Sequence, residues 1–238
     1  MVINMGRIFS YTTITLALTG LMACSGSGDK KENRQLFRYN ELGDVNSLDP
    51  VAASDFESGW ATNQLYNGLV EPDENLNVKP CIASRWEISE DGLRYTFHLR
   101  KDVFFHDDSL FEGTKGRRVV AADFVFSFDR LFDKRISKAA TLVDIIDRNE
   151  TTGQKGFEAV NDSTFVVHLR SAYAPFINIL GMKYFSVVPK EVVQFYKRDF
   201  GIHPVGTGPF QLKFWKDRIS LVMEKNKNYF KVDETGAR

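Results

Sequence analysis

"HPVGTGPFQLKFW", residues 203–215, decides between two kinds of protein. Gly206 and Gly208 stand between Pro204 and Pro209, a pattern that suits a loop cradling phosphate or a turn entering a strand. A phosphate loop leads into a helix whose first amides hold the anion. Here Phe210, Leu212 and Phe214 alternate, Lys216-Asp217-Arg218 turn, and Ile219, Leu221 and Met223 alternate again. That period of two predicts a β-hairpin. No Gly-Lys-Ser/Thr follows, and no third glycine stands at dinucleotide spacing, so the phosphate reading fails. The glycines and prolines then shape backbone, glycine by permitting positive φ and proline by fixing φ.

Working back from the hairpin, "VVPKEVVQFYKRDFG" (187–201) predicts a helix with Pro189 at its first position. "STFVVHLRSAYAPF" (163–176) reads as strand then turn. In "VVAADFVFSFDRLFD" (119–133), Phe124, Phe128 and Leu131 fall on one face of an amphipathic helix. "ISEDGLRYTFHLRKDVFFHDD" (88–108) turns at Asp91-Gly92, and Tyr95, Phe97 and Leu99 then alternate in a strand read as ending near Phe105. Trp60, Gln64 and Leu65 show helical spacing before Gly68, and residues 36–40 read as a strand.

The 238 residues allow one large domain or two modest ones. Lys plus Arg (31) equals Asp plus Glu (31), which argues against a nucleic-acid partner needing an excess of cations. The N-terminus has Arg7, an uncharged stretch over 8–23, then Cys24 and the polar run "SGSGDKKEN". The apolar part is too short and Thr-rich for a comfortable transmembrane helix and fits a secretory signal peptide. "LMAC" resembles a bacterial lipobox, which makes Cys24 the expected lipidation site. The competing reading is an uncleaved anchor with an incidental cysteine. With Cys24 acylated, Cys81 has no partner and reads as a small buried apolar residue.

These pieces resemble, in this order, family 5 of the bacterial solute-binding proteins, the extracytoplasmic receptors of peptide and nickel ABC importers. The resemblance rests on "NSLDP", "LYNGLVEPDENLNVKPCIASRWEISEDGLRYTFHLRKDVFFHDD", "VVAADFVFSFDRL", "VNDSTFVVHLRSAYAPF", "VVPKEVV" and "HPVGTGPFQLKFWKDRISLVMEKNKNYF". It implies an α/β, periplasmic-binding-protein-like class II fold. Expected are a signal peptide over 1–23, a tether over 24–34, part of the first lobe over 35–66 and 184–238, and an accessory α+β domain over 67–183. The second lobe is expected to be missing, since such receptors run to about twice this length. Two further departures are the longer, basic "FHDDSLFEGTKGRR" (105–118) and Cys81 in place of a small aliphatic residue.

The resemblance implies a monomeric, non-enzymatic receptor without a cofactor, held to a membrane at Cys24 and facing the periplasm or cell exterior. Its partners would be a peptide or other small solute and ABC permease subunits. The stretch after "SLDP" maps to the cleft, which makes Ser54, Asp55 and Phe56 the expected ligand-lining residues. The Gly206–Gly208 turn is given a structural and hinge role. Alternatives within the class are nickel complexes, haem or oligosaccharides. Outside it stand a truncated envelope scaffold and a metal-dependent hydrolase. His106, Asp107 and Asp108 suggest metal ligands, but adjacent residues of an extended chain point to opposite faces, so a polar turn is favoured and no metal is assigned. His98 and His168 read as packed or solvated, and "RKDVFF" and "GTKGRRVV" as solvated charge clusters.

Overall fold

Two hairpins and the helix laid across them organise the centre of the chain. The structure, a computed structural model, describes residues 37–40, 42–149, 151, 153 and 155–232. The signal-peptide region 1–23, Cys24 and the tether 24–34 lie outside the described residues. Residues 37–40, which belong to a separate unit, form no strand, contrary to expectation.

In chain order the elements are α1 (Phe56–Leu65), β1 (Val70–Pro72), β2 (Val78–Pro80), β3 (Ala83–Ile88), β4 (Arg94–Leu99) and α2 (Ala121–Asp129). Then come β5 (Phe157–Asn161), β6 (Thr164–His168), α3 (Phe176–Ile179), α4 (Lys190–Tyr196), β7 (Phe210–Lys216) and β8 (Ser220–Lys225). All pairing among the described strands is antiparallel, and β3-β4-β6-β5 form the largest sheet.

The β3–β4 turn is made by Asp91, whose Oδ1 accepts from the Leu93 amide at 3.0 Å, and by Gly92 at φ 69°. A β-branched residue is strained at that φ, so the Asp-Gly pair sets the register. Register then places Tyr95 opposite Val167 and Phe97 opposite Phe165, all buried on one face. β4 ends at Leu99 rather than near Phe105, and Phe104 makes only an isolated bridge to Arg118.

α2 covers the sheet with the predicted face. The Phe128 ring meets Phe165 and Phe185 edge-on, each at 5.3 Å between centroids, and Phe124 lies 5.6 Å from Phe165. Edge-to-face pairs contribute about 0.5–1.5 kcal/mol beyond area burial. Leu131, on the 3₁₀ turn after α2, is also buried. That turn carries Arg130, which meets Asp49 of "SLDP" in a buried two-bond pair at 3.1 and 2.5 Å.

Arg117 corrects one expectation. It does not lie in a solvated cluster, because it bonds Asp123 of α2 at 2.7 and 2.8 Å and Glu191 of α4 at 2.5 and 2.8 Å. Burial works against its charge, but the hydrogen bonds it donates to the two carboxylates hold its pKa above the ordinary arginine value. α4 begins one residue later than expected, with Pro189 as its N-cap.

The hairpin β7–β8 forms with a bulge at Lys213, between the paired positions Leu212 and Phe214. The extra residue reverses the alternation that follows. Trp215, not Phe214, joins Leu212, Leu221 and Met223 against the core, and Phe214 is exposed.

Candidate functional site

α1 starts where the chain commits a carboxylate to its own backbone. Asp55 is the N-cap, with Oδ1 accepting from the Ser58 amide at 2.7 Å. Its Oδ2 accepts from Asn46 Nδ2 at 3.2 Å, and Ser58 Oγ accepts from the Asn46 amide at 2.9 Å. Burial raises the Asp55 pKa, but the hydrogen bonds from Ser58 and Asn46 outweigh it and hold the carboxyl below its ordinary value. Both oxygens already have donors, so Asp55 positions backbone more than it offers a free acceptor. Ser54 is exposed, and Phe56 opens the helix with 72% of its surface accessible. A large ring so exposed on a capped, fixed turn suits stacking or apolar contact with another molecule.

Asn46 also lines a groove of about 680 Å³. Asp44, Val45, His203, Leu212, Phe214 and Trp215 line it too. Tyr196 stacks on His203 at 4.1 Å, and Arg218 reaches Asp44 at 3.4 Å. No sequence signal pointed to Asn46 or His203. Trp215 was hidden because the Lys213 bulge broke the alternation that would have oriented it.

The Gly206–Gly208 turn is a packing device. Neither glycine has positive φ, which corrects the conformational argument made for them. A Cβ on Gly206 would lie 2.0 Å from the Leu65 carbonyl oxygen, and one on Gly208 2.4 Å from that of Gln64. The turn presses on the end of α1, where Gly208 N donates to Leu65 O at 2.9 Å.

His106 secures the turn from the other side. Its amide donates to Gly206 O at 2.7 Å, its Nδ1 accepts from Gly206 N at 3.2 Å, and its Nε2 donates to Gly208 O at 3.0 Å. Asp107 instead meets Lys115 and the Gly116 amide, and Asp108 caps the Leu110 amide. The three side chains do not converge. Among the described residues no group of three or more His, Cys, Asp or Glu could hold a metal. His98 contacts Glu87 at 3.1 Å on the outer sheet face. Cys81 is buried, as expected. Among the described residues no helix is long and apolar enough to cross a membrane.

Residues 77–236 match the family described as bacterial extracellular solute-binding proteins, family 5 Middle. The chain belongs to that family. It is 32% identical over 188 residues to the glutathione-binding protein GsiB of Pectobacterium atrosepticum, covering 78% of this chain and 33% of that one. It is 33% identical over 203 residues to the dipeptide-binding protein of Escherichia coli, covering 81% and 35%. Among solved structures it is similar to the ABC transporter-associated periplasmic binding protein DppA of Helicobacter pylori in complex with the peptide STSA. That match has a TM-score of 0.65 and 33% identity, over 79% of this chain and 38% of the other. The chain thus spans about a third of the length of these relatives. The family and these relatives are binding proteins of transporters rather than enzymes.

Proposed function

We propose that this chain is part of the substrate-binding receptor of an ABC importer, that its solutes are peptides, and that it hands them to the permease subunits. The ligand would sit against the Ser54–Asp55–Phe56 edge of α1, with the adjoining groove at Asn46 and Trp215 extending the surface. The exposed Phe56 on a turn held by Asp55 and Asn46 carries this reading. The relatives named for dipeptide and glutathione binding support peptide-like solutes. Cys24, acylated, would keep the receptor at the membrane on its outer side, and two or more acyl chains would hold it firmly. The four-stranded sheet lies within 67–183 and the hairpin β7–β8 within 184–238, which supports treating these as accessory domain and lobe.

Calorimetric titration with a mixture of di- to pentapeptides tests the reading. Saturable heat, weakened several-fold in Phe56→Ala, is expected. No heat from the whole mixture would sink the peptide assignment.

A further inference from the structure

The interior and half-buried cations of this chain mostly face acids. Arg117 meets Asp123 and Glu191, Arg130 meets Asp49, Arg148 meets Asp129, and Lys231 meets Glu71. Lys183 differs. It is half-buried on the 3₁₀ turn that packs beside α1, yet no carboxylate among the described residues forms an ion pair with it. Its ammonium has the backbone oxygen of Asp55 at 3.4 Å and the Tyr184 ring at 5.3 Å.

Its place is set by the helix beside it. A Cβ on Gly59 would fall 2.2 Å from Lys183 Nζ, so the glycine leaves the space that the amine occupies. The one carboxylate whose charge bears on it is engaged elsewhere, since Asp55 caps α1 and accepts from Asn46. Burial lowers the Lys183 pKa, and the Asp55 charge only partly opposes that. A partly desolvated cation gains little from one long bond to a carbonyl, whereas a carboxylate arriving beside it would form a charge-assisted bond in a partly dry site.

We infer that Lys183 is a specificity-determining residue, which receives a carboxylate of the solute bound at the Ser54–Phe56 edge. The inference rests on the peptide reading above. The carboxylate has two sources, an acidic side chain or the peptide C-terminus, and three probes separate them. Ala-Glu-Ala against Ala-Gln-Ala isolates the side chain, and Ala-Gln-Ala against its C-terminal amide isolates the terminus.

Calorimetry on the full chain would give each ratio of affinities. One ratio is expected to favour the carboxylate, to fall roughly tenfold or more in Lys183→Met and to be restored in Lys183→Arg. Lys183→Glu is expected to reverse it and to favour Ala-Lys-Ala over Ala-Gln-Ala, which loss of folding cannot produce. Binding in which both ratios are unchanged by Lys183→Met and Lys183→Glu would overturn this inference alone. No binding of any probe by the unaltered chain would overturn the peptide reading and this inference with it.

Discussion

His106 Nε2 donates to the carbonyl of Gly208 at 3.0 Å, joining residues 102 positions apart. With Nδ1 accepting from the Gly206 amide, the ring is fixed as the neutral Nε2–H tautomer. Protonating Nδ1 would set two donors against each other in a buried site.

Burial pushes the His106 pKa down to about 4 from its ordinary 6.5, while the bond to Gly208 opposes the shift. The unfolded chain therefore binds the proton first, and between those values folding is opposed as pH falls. Stability should drop by roughly 2 kcal/mol between pH 7 and pH 4.5 from this residue alone. Urea melts at the two pH values would read it, and in His106→Gln the pH-dependent loss should shrink by that amount. An unchanged loss would remove His106 as its source.

Gly206→Ala should cost about 3 kcal/mol or more, because the new methyl meets the Leu65 carbonyl oxygen at 2.0 Å on the end of a helix that cannot yield cheaply. Gly113→Ala has open space around it and only the strain of φ 61° to overcome, so its cost should be smaller. Thermal melts of the two variants check the order.

Asp49→Ala should destabilise by about 3–5 kcal/mol, since it leaves the Arg130 guanidinium buried and unpaired beneath Phe200. Arg130→Met in the same chain should recover much of the loss. A double-mutant cycle with no coupling would show the pair to be energetically idle.

The Cys81 thiol should be inert in the folded protein. It is 2% exposed, and burial pushes its pKa up to about 12, so almost no thiolate exists at pH 8. In a Cys24→Ser background, a thiol-reactive disulfide reagent should release no colour at pH 8 until denaturant is added. Prompt reaction with the folded protein would contradict this burial.

Local pattern carried much of this fold. Tyr95, Phe97 and Leu99 declared a strand by alternation, and Phe124, Phe128 and Leu131 declared one helical face, because each apolar set needs only its own backbone period to be seen. The order of motifs also sufficed for the family. The ligand-lining role proposed for Asp55 and Phe56 rests on resemblance alone, since no spacing rule marks a cap as part of a surface.

Long-range pairing was not legible. Arg117 looked like one charge among several in "GTKGRRVV" until α2 and α4 brought Asp123 and Glu191 to it. The single extra residue at Lys213 turned Trp215 inward and Phe214 outward, which alternation cannot foresee. Gly206 and Gly208 are required by the end of α1, at Leu65 and Gln64 far earlier in the chain, rather than by their own torsions. The sequence by itself determined the local periods and the kinship, because neighbours along the chain set both. Only the tertiary structure decided which charges are paired, which rings are exposed and why Lys183 has no ion pair among the described residues, because those depend on which distant segments meet.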